Sequence, residues 1–181
     1  MKKIILIFLS IVLYISQGFA QENTSSVFRI NFLNLGVEYE MPVFNQSTVL
    51  FNVGAGYCES YPNLTSYASG WLYSICPFVD VQYRNYYNLE KRLNKQKNIS
   101  YNSGNFWGVR MLTRGKAFDG NFVRTSNIDF ALNPIWGLQR SYGKINILFD
   151  GGIAYYFDGN GNDGVSPTFE FGIGYNFDIK K

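Results

Sequence analysis

Apolar side chains recur at every second position along most of this chain. The last such stretch sets Phe169, Phe171, Ile173, Tyr175 and Phe177 in alternation with Glu170, Gly172, Gly174 and Asn176. A period of two gives a strand one apolar face and one small or polar face. The same alternation predicts six more strands. The first two carry Leu33, Leu35, Val37 and Tyr39, then Val49, Phe51, Val53, Ala55 and Tyr57. The next two carry Val79, Val81 and Tyr83, then Trp107, Val109 and Met111. The last two carry Ile128, Phe130, Leu132 and Trp136, then Ile145, Ile147, Phe149 and Ile153. No segment has a helical period. Compact or basic connections ("MPVFNQST", "LEKRLNKQKN", "QRSYGK") alternate with longer Gly/Asn/Ser-rich ones at 58–76, 113–127 and 157–166. Short turns on one side and long loops on the other mark a transmembrane up-and-down barrel. The expected fold is therefore all-β, a transmembrane antiparallel up-and-down β-barrel of eight strands.

The eighth strand is the difficulty. Phe28, Ile30 and Phe32 alternate in the opposite phase to Leu33 onward, which reads either as a further strand in 21–32 or as a bulge. Residues 26–40 are too few for two full crossings of about 9–11 residues each. Closure requires the last strand to pair with the first, and its expected partner is the segment from Leu33 to Tyr39.

A soluble ligand-binding barrel also alternates, so the two faces must be told apart. The polar positions are rich in Gly and carry charges of both signs, which suits a narrow interior better than bulk water. Every lysine after the first 20 residues lies in a connection, at a strand end or at the chain end. A lysine facing mid-bilayer lipid costs about 2–4 kcal/mol. Glu38, Asp80, Asp129, Asp150 and Glu170 share the polar face with Arg84 and Arg110 and are expected to form a lumen charge network. Arg84 is expected to fork onto Asp80, and the filled lumen to bar free diffusion. Tyr83, Tyr86, Tyr87, Trp107 and Trp136 fall near strand ends, where an aromatic girdle would sit.

Residues 1–20 read as a cleaved signal peptide: Lys2 and Lys3, an apolar run from Ile4 to Ile15, then Gly18 and Ala20. The domain expected from this is 21–181. Its loss takes two of the 16 basic residues and leaves 14 against 13 acidic ones, which supports no nucleic-acid partner. Aromatic residues make up 18% of the chain, and with 18 glycines this composition suits sheet rather than helix. Cys58 and Cys76, the two cysteines, flank one long connection and are expected to form a disulfide after export.

The chain contains no histidine. It therefore lacks the base that outer-membrane hydrolases use near neutral pH, and the expectation is no enzymatic activity, no catalytic residue and no cofactor. "FDGNGNDG" at 157–164 only partly matches a calcium loop: Asp163 and Phe169 stand where Gly and Glu are needed, so it reads as a hairpin loop and no metal is expected. The basic segment with Lys91, Arg92, Lys95 and Lys97 reads as a solvated turn that holds its strand in register with the water boundary.

Three stretches resemble the small outer-membrane β-barrel proteins common in Bacteroidota: "NFLNLGVEYE" at 31–40, "YRNYYNLEKRLNKQKNISYNSGNFWG" at 83–108 and "PIWGLQRSYGK" at 134–144. The best marker is the Tyr-rich strand leading into a basic turn and then Asn102, Ser103, Gly104 and Asn105. The resemblance implies the fold and a place in the outer membrane of a Gram-negative bacterium. It also implies contact with outer-membrane lipid and with the barrel assembly machinery, which would read the aromatic-ended last strand. It carries no catalytic residue. The expected role is non-enzymatic, exerted through loops or turns on a protein partner that the residues do not name. The alternatives are a transport or secretion accessory and a soluble ligand-binding barrel.

Overall fold

The structure is a computed structural model that describes residues 24–58, 65–66, 73–124 and 126–179. The leader expected at 1–20 lies outside the described residues. Eight antiparallel strands follow one another round a closed ring: β1 (Val27–Asn31), β2 (Leu35–Phe44), β3 (Ser47–Tyr57), β4 (Ser74–Asn85), β5 (Asn105–Arg114), β6 (Asp129–Tyr142), β7 (Ile145–Asp158) and β8 (Asp163–Phe177). β1 pairs with β8 to close it. Two short pairings decorate one end, Thr65–Ser66 with Phe122–Val123 and Asp119–Gly120 on the start of β4.

The phase break near Phe32 is a turn, not a bulge: residues 32–34 reverse the chain between β1 and β2. The last strand therefore pairs with Phe28–Asn31 and not with Leu33–Tyr39. β1 meets the length limit by being only 5 residues long, against 15 for β8.

One end of the ring carries the short connections. Asn45–Gln46 joins β2 to β3, and Gly143–Lys144 joins β6 to β7. Gly143 has φ +59, which a two-residue hairpin with glycine in its first central position demands. Residues 86–104 also lie here and contain the one α-helix among the described residues, α1 (Leu89–Asn94), and a short 3₁₀ helix at Ser100–Asn102, neither of which any apolar periodicity announced. At the other end, β7 and β8 are joined by residues 159–162. There the Asp158 carboxylate accepts the backbone N–H groups of Asn160 (2.8 Å) and Asn162 (3.0 Å), an Asx-type turn.

Pro134 sits inside β6, between β5 and β7. Even-numbered positions of β6 direct their backbone toward β7, since Gln139 N–H donates the other way, to Gly104 O on the β5 side. The missing N–H is thus a β7 contact, and the β6–β7 pairing lapses at Ile153 and Ala154. Gly152 absorbs the disturbance, because a Cβ there would lie 2.0 Å from Pro134 O.

The two faces of the sheet differ sharply. Outward positions hold exposed Val37, Phe51, Val53, Val79, Val109, Leu132, Phe149 and Ile153. Inward positions hold buried Arg29, Glu38, Glu40, Asn52, Asp80, Gln82, Arg84, Gln139, Asp150 and Asn176. An apolar core cluster lies inside the ring at the short-turn end: Tyr86, Leu89, Phe106, Ile135 and Leu148, with Ile99 packed against it. No helix among the described residues is long and apolar enough to cross a membrane, which leaves crossing by strands untouched.

Candidate functional site

The lumen is the one place where the polar face converges, and it falls into two halves. In the half nearest the short turns, segment 86–104 folds back over the opening. Asn102 and Ser25 exchange hydrogen bonds, Ser25 N–H to Asn102 Oδ1 (2.8 Å) and Asn102 Nδ2 to Ser25 O (2.9 Å). Asn102 does so from φ +58, a left-handed conformation that asparagine tolerates. Gln139 Nε2 donates to Tyr101 O (2.8 Å), and Ser141 N–H donates to Ser103 Oγ (3.0 Å). Tyr101 OH donates to Asp178, which Lys144 approaches at 3.0 Å. The Tyr101 hydroxyl first, then Lys144, holds the Asp178 carboxyl below its usual range, and Asp178 in turn raises the Lys144 ammonium.

Beneath this cap the interior is filled. Arg29 pairs with Glu38, lies 3.8 Å from Glu40, and donates from Nε to Asn176 Oδ1 (2.7 Å). Glu40 Oε1 accepts Thr48 Oγ1 and Tyr86 OH, each at 2.7 Å. Burial, then the Glu40 charge, pushes the Tyr86 phenol well above its ordinary range. Arg84 donates to Gln82 Oε1 (2.8 Å) and Gln139 Oε1 (3.0 Å), with its guanidinium 4.6 Å from the centre of the Phe106 ring.

Further up, Arg110 is the hub. It donates to Asp80 Oδ2 through Nε (2.9 Å) and Nη2 (2.6 Å), bonds Glu170 and lies 3.8 Å from Asp150. Arg114 donates to Asp129 Oδ1 (2.7 Å), and Arg124 pairs with the same carboxylate. Five guanidiniums (Arg29, Arg84, Arg110, Arg114 and Arg124) thus face six carboxylates (Glu38, Glu40, Asp80, Asp129, Asp150 and Glu170).

Every residue expected in the lumen network faces inward, but its wiring differs. Arg84 makes no fork with Asp80. Positions i and i+4 of a strand lie about 13 Å apart, so it is Arg110, opposite Gln82 and diagonal to Asp80, that reaches the carboxylate. The expectation of a lumen filled throughout also needs correction. Above Arg110 lies a cavity of about 580 Å³, bounded by small or slender side chains such as Ala131, Ala154, Ser166 and Thr168.

Of the aromatic set, Tyr87, Trp107 and Trp136 stand exposed near the capped end, where Trp136 Nε1 donates to Tyr87 OH (3.0 Å) and the Tyr83 and Trp107 rings lie 6.1 Å apart. Tyr86 departs from them and is fully buried in the lumen. The Cys58–Cys76 bridge is not formed; both are free, buried thiols. Cys58 N–H bonds Ser74 O and Cys76 faces Gly56, so the two cysteines are diagonal and not opposite. Diagonal positions lie farther apart than opposite ones, and the two thiols meet as hydrogen-bonding partners with no S–S bond between them. The Cys76 thiol, then Ser74 and the nearby arginines, lowers the Cys58 thiol to about 6 against the opposing effect of burial.

Arg29, Glu40, Arg114, Arg124 and Gln139 were not singled out in the sequence. Glu40 continues the parity of Gly36 and Glu38, and Arg29 sits between Phe28 and Ile30, so alternation alone would have found those two. Among the described residues no group of three or more Cys, Asp or Glu side chains is placed to hold a metal ion. No protein-family model, curated protein or solved structure matches the chain.

Proposed function

We propose that this chain is an integral outer-membrane β-barrel of eight strands, non-enzymatic, closed at its periplasmic end and presenting its longer loops outside. The observation that carries the reading is the inversion of the sheet. A ring that keeps Arg29, Arg84 and Glu40 wholly buried while exposing Val53, Val109, Leu132 and Phe149 is built for a surrounding solvent less polar than its interior. A soluble ligand-binding barrel would reverse those faces. A closed ring also leaves most backbone groups paired, as hydrocarbon requires. The exposed Trp107, Trp136 and Tyr87 then belong to the headgroup layer at the periplasmic side, with Lys91, Arg92, Lys95 and Lys97 just beyond it in water. The capped lumen gives no straight passage, which favours a binding or structural role over transport.

Fractionation tests this reading. The protein is expected to stay with membranes through urea and alkaline carbonate and to come out in detergent. Release by urea or carbonate alone would contradict it.

A further inference from the structure

The connection from β4 to β5 caps the lumen on its inner side and shapes a second feature on its outer side. Arg140 belongs to the outward face of β6, in step with Trp136 and Leu138, whereas Gln139 and Ser141 on either side of it are buried in the lumen. The connection is tied down beside it: Asn98 Nδ2 donates to Ser141 O (2.7 Å), and Asn105 N–H donates to Asn88 Oδ1 (2.8 Å). Between these ties the chain reverses at the end of α1. Gln96 N–H bonds Leu93 O (2.8 Å) and Lys97 N–H bonds Arg92 O (2.9 Å), with Gln96 at φ +53. That pair of bonds is a Schellman ending. It brings Lys95 and Lys97 round to the same space as Lys91 and Arg92.

The space is a pocket of about 410 Å³ on the outside of the ring, lined by Lys91, Arg92, Lys95, Lys97 and Arg140. Every charged side chain in its lining is positive. Among the described residues none of the five forms an ion pair. Arg140 gives its hydrogen bonds to neutral acceptors, Gly104 O (2.8 Å), Gln139 O (2.7 Å) and Asn105 Oδ1, and Arg92 Nη2 donates to Asn98 O (2.8 Å). Glu90 of α1 is engaged elsewhere and accepts Gln46 Nε2 (3.1 Å). The lumen is the contrast, since there Arg29, Arg110, Arg114 and Arg124 each meet a carboxylate. Like charges gathered round one space repel unless an anion enters it.

The place of the pocket on the wall narrows the kind of anion. Tyr87 also lines it, and the Tyr87 hydroxyl accepts Trp136 Nε1 (3.0 Å). Both rings are exposed and belong, on the reading above, to the headgroup layer. The pocket therefore opens at the level of lipid phosphates, which guanidinium and ammonium groups bind well.

We propose that this pocket binds the phosphate of an anionic phospholipid from the periplasmic-side leaflet. Arg140 and Arg92 supply hydrogen bonds, and the three lysines supply surrounding charge. The glycerol lies beside Tyr87 and Trp136, and the acyl chains run along the outward face of β6 toward Leu132. The proposal rests on the membrane reading above.

The test is tryptophan quenching in the full-length protein, reconstituted in phosphatidylcholine vesicles that carry a minor share of brominated lipid. A Trp71→Phe background leaves Trp107 and Trp136 as the reporters. Brominated phosphatidylglycerol is expected to quench about fivefold more per lipid than brominated phosphatidylcholine. Lys91→Gln combined with Lys95→Gln should bring the two lipids level. Lys144→Gln removes a charge from the same end of the ring but outside the pocket, and should leave the preference intact. Inorganic phosphate should reduce the preference no more than chloride of equal ionic strength. Equal quenching by the two lipids, a preference that the double variant leaves unchanged, or one that Lys144→Gln removes as well would overturn the proposal. Loss of the preference in phosphate but not in chloride would assign the pocket to the free anion and overturn its assignment to lipid. Absence of quenching by either lipid would overturn the membrane reading and the proposal with it.

Discussion

The two halves of the lumen are built from the same alternating pattern yet behave as different materials. In the capped half, long side chains meet across the ring and a connection folds back as a plug, so each guanidinium is packed against an acceptor or a ring. In the open half the inward positions include Ala131, Ala154, Ser166 and Thr168, which are too small to meet, and space remains. Polarity sets which face turns inward, but side-chain size decides whether the inside is solid. Charge placed in the solid half is costly to disturb, and charge in the open half is within reach of water.

That contrast is sharpest for two arginines. Arg29→Ala strands two buried carboxylates, Glu38 and Glu40, and is expected to cost about 3–5 kcal/mol in urea unfolding from lipid. Arg110→Ala leaves its partners beside a cavity that water can enter, and about 1.5–3 kcal/mol is expected. An Arg110→Ala variant less stable than Arg29→Ala would erase the distinction between the halves. Tyr86→Phe removes only the hydroxyl from Glu40, which keeps Thr48, and should cost about 1.5 kcal/mol in the same assay. A neutral result would place Tyr86 in the plug for its ring alone.

The smallest effect concerns the latch outside the wall. Asp178 is held below its ordinary value, so its contribution is present above about pH 3.9, the unfolded value, and is lost as pH falls through the lower folded one. Lys144 is raised, so its share is present below about pH 10.4 and lost as pH rises through its folded value. Amide protection factors at the end of β8, which allow for the intrinsic pH dependence of exchange, should fall only below about pH 4 and in strong base. Asp178→Asn should remove the acid step, and an unchanged step would assign it elsewhere.

The faces of seven strands were legible in the sequence because alternation over long segments leaves one consistent answer. β1 was obscured because a 5-residue strand offers only Phe28 and Ile30 outward, and the turn after it inverts the phase. Partners were less legible than faces, since register is set across strands. Asp80 and Arg84 share a face but not a reach, and Cys58 and Cys76 share a loop base but sit diagonally. Tyr86 looked like its neighbours Tyr83 and Tyr87 until the connection carried it back into the lumen, a long-range event that no local pattern records. That β8 outruns β1 was legible only as a shortage of residues between Ser26 and Glu40.

Site-directed spin labelling tests the inversion of the sheet most directly. In a background without Cys58 and Cys76, nitroxides placed one at a time along β5 and β7 in reconstituted vesicles should alternate. Labels at Val109, Met111, Phe149 and Ile153 should be accessible to oxygen and shielded from a polar nickel complex, while those at Gly108 and Asp150 should lack that lipid signature. Outward labels that the nickel complex relaxes as readily as oxygen does would contradict the account.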